Sequence, residues 1–227
     1  MPPRPAKRPP TRHIEIKICG LTDVDAVDAA VAAGADWLGA VFFPPSPRAV
    51  TAEEAADLFD ALPDDIGTVG LFVDPDEALL DHVLNHVRLD LIQLHGRESP
   101  ERIDAIRLDY GLPVMKALGV STPADLEAAT VYADHADRLL LDAKPPAGSD
   151  RPGGHATAFD WSILAGWHSP LPWMLAGGLT PVTVAEAIRA TGAPGVDVSS
   201  GVERAKGRKD AALIERFCAA VRAAEGE

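Results

Sequence analysis

The chain of 227 residues is long enough to bury one sizeable core, and 47% apolar with 24% charged residues is the balance of a globular protein. No apolar run approaches the roughly 20 residues that a membrane helix needs, so no membrane partner is expected. A net charge of −13 disfavours an extended surface for nucleic acid, and the two cysteines, Cys19 and Cys218, form neither a C-x-x-C pair nor a zinc spacing. The expectation is a reduced, cytoplasmic protein without a structural metal.

Residues 1–13 carry five prolines together with Arg4, Lys7, Arg8 and Arg12. They lack the apolar stretch of a secretory signal and predict a disordered basic extension. From residue 14 the pattern alternates. A strand over 14–19 (IEIKIC) leads to a helix over Asp23 to Ala33, and 36–43 (DWLGAVFF) leads to a helix over Ala52 to Leu62. There Thr51 and Glu54 have the spacing of a capping box. Strand 67–73 precedes helix Asp76 to His86, strand 90–94 precedes helix Pro100 to Asp109, and strand 113–118 precedes helix Pro123 to Ala133. Thr122 and Pro123 supply the last with a cap and an N1 proline.

After strand 138–142 (RLLLD) the order breaks. Residues 143–158 are too rich in Pro and Gly for a helix, and only Phe159 to Ala165 is left to form one. Strand 172–176 then leads through Thr180 and Pro181 into a helix ending at Thr191, and strand 195–198 leads to a terminal helix over Asp210 to Glu225. Eight strand–helix units with no edge-like strand predict a single-domain (βα)8 barrel over 14–227, of the TIM type, with eight parallel strands. In that fold, strand C-terminal ends face the active site.

Those ends carry Cys19, His95, Lys116 and Asp142, and the loop after the second strand carries Arg48. A titratable group ending an apolar run needs solvent, a partner or a role. Each also has a plain reading: Cys19 as a small core filler, His95 as a loop histidine, Asp142 as a loop cap, Arg48 as a surface cation, Lys116 as half of an ion pair. The last two strand ends are more specific. Ala176-Gly177-Gly178-Leu179-Thr180 and Asp197-Val198-Ser199-Ser200-Gly201 each run from a strand toward a helix, and glycines there let backbone N–H groups approach an anion. In a barrel these two loops form the usual phosphate site, so the expected ligand is a small phosphorylated molecule.

Taken in order, KICGLT, FFPPSPRAVT, VGLFVD, LDLIQLHG, PVMKAL, LLLDAK, GGHATAFDW, LAGGLTP and GVDVSSGVE followed by GRKD resemble the phosphoribosylanthranilate isomerase family. These are (βα)8 enzymes of tryptophan biosynthesis, and the likeness runs from about Lys17 to Asp210. The resemblance implies an Amadori rearrangement of N-(5-phosphoribosyl)anthranilate to 1-(2-carboxyphenylamino)-1-deoxyribulose 5-phosphate, with no cofactor and no metal. It implies Asp142 as general acid and Cys19 as general base. By the same resemblance Arg48 is expected to bind the anthranilate carboxylate, His95 to stand near the site, and Gly177, Gly178, Ser199, Ser200 and Gly201 to form the phosphate loops.

Lys17 is expected inside the barrel, about 6.6 Å below Cys19 by strand rise, paired with a carboxylate such as Asp197 and not serving the thiol directly. The chain departs from the family at Gly153-Gly154-His155-Ala156 and at Thr183; no role is carried over to His155. A monomer or a homodimer is compatible with the sequence. The alternatives are a dual-substrate isomerase that also takes the histidine-pathway aminoaldose, and a phosphosugar-binding barrel without catalysis.

Overall fold

The computed structural model describes residues 13–144 and 160–226. Eight parallel strands close into a barrel in sequence order: β1 (Glu15–Cys19), β2 (Trp37–Val41), β3 (Gly67–Phe72), β4 (Leu91–Leu94), β5 (Val114–Val120), β6 (Arg138–Ala143), β7 (Trp173–Leu175) and β8 (Gly195–Val198). The ring is completed where β1 pairs with β8, with Lys17 in register with Asp197. Outside lie α1 (Val24–Ala32), α2 (Ala52–Phe59), α3 (Glu77–His86), α4 (Pro100–Tyr110), α5 (Ala128–Val131), α6 (Val184–Thr191) and α7 (Ala211–Ala224). None of the described helices is long and apolar enough to cross a membrane.

The predicted starts hold where capping chemistry is strong. Thr51 and Glu54 form a reciprocal capping box at α2, and Ser99 caps α4 with Pro100 at its first position. Three expectations are corrected. The helix over Pro123 to Ala133 is a 3-10 turn, Pro123–Glu127, followed by the single turn of α5. Asp125 gathers the Ser121 and Thr122 N–H groups and hydroxyls onto Oδ2, which winds the chain tightly.

The helix after β7 begins at Val184 and not at Pro181, because the Thr180 and Thr183 hydroxyls, 3.0 Å apart, hold a separate turn ahead of it. Within the sixth connection the described part is a 3-10 turn, Trp161–Leu164, in place of a helix to Ala165. His13, expected in the extension, is tied to the barrel through Asp36 at 2.7 Å. Residues 1–12, and with them nearly all of the expected extension, lie outside the described residues, as does most of the 143–158 loop including His155.

Two apolar layers follow from the twofold periodicity of the strands. One face packs outward against the helices, joining residues such as Ile16, Ile18, Leu139, Leu141, Ile214 and Phe217. The other faces the barrel axis, where Val69, Leu91, Met115, Ala117, Leu140, Met174 and Ala176 form a separate plug beneath the mouth. Strand β1 is unlike the rest. Its axis-facing positions are Glu15, Lys17 and Cys19, so one strand lines the interior with polar groups at every level.

Candidate active site

Above the apolar plug, the axis-facing residues at the strand ends are Cys19 on β1, His95 just after β4, Asp142 on β6 and Ser199 just after β8. All four share the inward parity of their strands. Lys116 does not: its neighbours Met115 and Ala117 belong to the axial plug, so Lys116 points outward. Its ammonium donates to Glu98 Oε2 at 2.7 Å and to the Gly96 carbonyl at 2.7 Å, and Glu98 also accepts from the Asp74 and Gly96 N–H groups. This buried pair fastens the loops after β3 and β4, and the plain reading of Lys116 is the one the geometry supports.

Asp142 and His95 meet across the barrel mouth, with Asp142 Oδ2 3.3 Å from His95 Nε2. The other histidine nitrogen lies 3.0 Å from the Gln93 amide, which leaves Nε2 to face the carboxyl. Asp142 Oδ1 accepts the Ala143 N–H at 2.8 Å. Gly177, at φ 86°, completes this corner: a β-carbon there would fall 2.6 Å from the Ala143 nitrogen and 3.1 Å from Asp142 Oδ1. Only glycine lets the chain after β7 pass so close to the carboxyl.

Cys19 is 4% exposed and sits in a field of charged groups. Lys17 donates to Asp197 Oδ1 at 2.6 Å, as its register neighbour allows. The expectation that Lys17 would not serve the thiol is corrected. A β-carbon on Gly39 would lie 3.3 Å from Cys19 Sγ and 3.5 Å from Lys17 Cε, so the two side chains lie together over that glycine. The long Lys17 side chain runs up the barrel axis and makes good the strand rise that separates their backbones.

Burial pushes the Cys19 thiol above its ordinary pKa; Lys17 pulls it down, Asp197 pushes it up, and Lys209 pulls it down. Burial likewise opposes the charge of Lys17, but Asp197 and then Cys19 outweigh it and hold the ammonium above its ordinary pKa.

Two residues to which sequence reasoning gave no role complete the mouth. After β8, a 3-10 turn (Ser200–Val202) runs into a small antiparallel hairpin of β9 (Glu203–Ala205) and β10 (Arg208–Lys209). Glu203 receives the Arg48 fork at 2.6 Å from Nε and 3.1 Å from one terminal nitrogen. It also accepts from Lys209 at 3.1 Å and from the Gly207 N–H at 3.1 Å. Burial works against the Glu203 charge, yet Arg48 and Lys209 outweigh it and hold the carboxyl below its ordinary pKa.

Burial brings Lys209 down to about 8, with Glu203 opposing that shift and Arg48 adding to it. The Ser199 hydroxyl, expected at a phosphate, faces Lys209 at 3.2 Å, and the Ser199 carbonyl accepts from it at 2.9 Å. A polar ERAKGRK stretch carries no strand periodicity, so the hairpin was not legible; the usable signal was two opposite charges six residues apart around a glycine.

Gly178 has φ 65°, and a β-carbon on Gly201 would lie 1.8 Å from the Leu179 carbonyl oxygen. The loops after β7 and β8 therefore press backbone against backbone, and together they occupy the arc of the ring between Asp142 and Cys19.

The sequence model of the N-(5'phosphoribosyl)anthranilate (PRA) isomerase family matches residues 16–220. A curated N-(5'-phosphoribosyl)anthranilate isomerase from Paramagnetospirillum magneticum is 63% identical over 209 residues, 92% of this chain and 97% of the relative. One from Rhodospirillum rubrum is 60% identical, across 91% of this chain and 97% of the relative. Among solved structures, phosphoribosyl anthranilate isomerase from Thermotoga maritima matches with a TM-score of 0.81 at 36% identity, covering 92% of this chain and 99% of that one. A phosphoribosyl anthranilate isomerase in complex with reduced 1-(o-carboxyphenylamino)-1-deoxyribulose 5-phosphate matches at 0.80 and 34%, with the same coverage.

Proposed function

Because the chain belongs to the N-(5'-phosphoribosyl)anthranilate isomerase family, and so is an isomerase of tryptophan biosynthesis, we propose that it performs the Amadori rearrangement with Asp142 as acid and Cys19 as base. The observation that carries this reading is the order around the ring, β6, β7, β8, β1. An acid, two anion-accepting loops and a base follow one another along half the barrel. A phosphate held between β7 and β8 spans its pentose from the Asp142 side to the Cys19 side.

The steps follow from those positions. Asp142 delivers a proton to the furanose ring oxygen; the C1–O bond breaks, and the anthranilate nitrogen lone pair forms the iminium. Cys19, as thiolate, then takes the proton from C2, and the electron pair of that bond neutralises the iminium to give the enol-amine. Tautomerisation of the enol yields the ketose. His95 Nε2, 3.3 Å from Asp142 Oδ2, positions the carboxyl. Since burial favours the resting thiol, the positive iminium at C1 adds to Lys17 and Lys209 in favouring the thiolate at the moment it is needed.

The remaining groups bind. Backbone N–H groups of Gly177, Gly178, Ser200 and Gly201 suit the phosphate, with Ser199 and Lys209 closing the same side. Arg48, its Nε and one terminal nitrogen committed to Glu203, keeps one face of its fork for the anthranilate carboxylate. The test follows the fluorescence of the anthranilate substrate with time, in parallel with turnover of the histidine-pathway aminoaldose. Rapid loss of the first signal with negligible turnover of the second is expected. Comparable turnover of both would make this a dual-substrate enzyme, and stoichiometric binding without turnover would make it a phosphosugar-binding barrel.

A further inference from the structure

Well away from the barrel mouth, the outer surface of α2 and α3 gathers three exposed metal-ligating side chains. We propose that Glu53, His82 and His86 form a binding site for a divalent cation of the zinc class, which ties α2 to α3. One ligand atom from each residue lies within 4.8 Å of the other two. His82 and His86 are four apart on α3 and so share a face, with ring centroids 4.6 Å apart. Glu53 reaches them from the first turn of α2, with Oε1 3.7 Å from His82 Nε2.

The surroundings favour a ligand set over a chance meeting. His86 Nδ1 lies 2.7 Å from the His82 carbonyl. A carbonyl only accepts, so Nδ1 carries the proton and Nε2 keeps its lone pair for an ion, the arrangement that backbone carbonyls impose on metal-bound histidines. Two imidazoles and one carboxylate suit zinc, with a water completing the tetrahedron, and do not suit calcium or magnesium. The ligand atoms need to close by about 1.5 Å to reach tetrahedral zinc distances. Exposed side chains on two separate helices have the freedom to do so.

The place of the site gives the ion a consequence. A cleft of about 380 Å³ opens at the C-terminal ends of the same helices, lined by Ala56, Phe59, Val87 and His86 among others. An ion held by Glu53 and the two histidines ties the helices together beside that cleft without touching the groups around Cys19.

The experiment is a calorimetric titration of the full chain, free of any affinity tag, with zinc chloride, alongside His82→Gln and His86→Gln. One zinc per chain is expected in the wild type, with affinity weakened at least about tenfold by either substitution. Zinc at 100 times the wild-type dissociation constant should raise Tm by about 5 °C or more in the wild type and by at most about half as much in either variant. Turnover of the anthranilate substrate by the variants should equal that of the wild type. Absence of a stoichiometric zinc heat would overturn the proposal. So would zinc binding that survives both substitutions, since that would assign the ion to other groups such as the thiols.

Discussion

Glu203→Gln tests whether the mouth of the barrel is organised by charge or merely by shape. The carboxylate accepts from Arg48 twice, from Lys209 and from the Gly207 N–H, and its side chain is 5% exposed. Glutamine keeps the size but leaves two buried cations facing each other without an anion, a change that typically costs about 3–5 kcal/mol. Lys209 can relieve part of this by losing its proton. In the wild type it titrates near 8 against an ordinary 10.5, so below pH 8 the folded protein holds it charged at a cost in stability. Between pH 8 and 10.5 the unfolded chain binds the extra proton, and stability rises with pH.

Removing Glu203 takes away an influence that raises the Lys209 pKa. The penalty of the substitution is therefore largest where the wild-type lysine is charged. Urea unfolding at pH 6.5 and pH 9.5 should show a smaller loss at the higher pH, by about 1.4 kcal/mol for each unit that the lysine falls further. The KM for the anthranilate substrate should rise as well, because Arg48 is no longer held. Equal losses at both pH values, together with an unchanged KM, would refute the reasoning.

Other substitutions separate chemistry from binding. Cys19→Ser and Asp142→Asn should each lower kcat by about 100-fold or more with KM much less affected, in steady-state assays; near wild-type turnover in either would remove that residue from the mechanism. Arg48→Ala should mainly raise KM, and an unchanged KM would take it off the binding surface. Gly201→Ala places a methyl 1.8 Å from the Leu179 carbonyl oxygen, so one loop must move; weakened inhibition by inorganic phosphate is the expected result, and undiminished inhibition would count against that loop as the anion site. Burial pushes Cys218 up to about 11, so the folded state keeps a proton that the unfolded chain loses from pH 9 upward. The contribution of this thiol should fall across that window by roughly 2–3 kcal/mol, against the opposite contribution of Lys209, so Cys218→Ala should gain stability relative to the wild type from pH 9 upward in denaturant titrations.

The barrel was legible in the sequence because parallel strands covered on both sides read as short, nearly continuous apolar runs, and a polar residue ending such a run stands out. Cys19, His95 and Asp142 were visible for that reason. Lys116 stood out by the same signal and proved to point the other way, which parity against Met115 could have told. Lys17 was placed correctly opposite Asp197 but its reach was not, since strand rise measures backbones and a lysine spans several ångströms more. Glu203 and Lys209 were hidden by context: in a run of charges, burial alone distinguishes a partner from a solvated side chain, and burial there depends on a hairpin with no apolar pattern of its own.

The pairing of β1 with β8 also sets a clock. Lys17 and Asp197 are 180 residues apart in the chain, and Lys209 comes later still. A ribosome adding about 5–20 residues per second needs about 10–40 s to travel from the first to the second. Through that interval Cys19 has emerged, but Asp197, Lys209 and the closing strand have not. It is a thiol of ordinary acidity on an unpaired strand edge. The suppressed acidity of this cysteine, and the charges of Lys17, Asp197 and Lys209 that act on it, are thus properties of the finished ring, and a chain cut short anywhere before β8 carries the KICG motif without them.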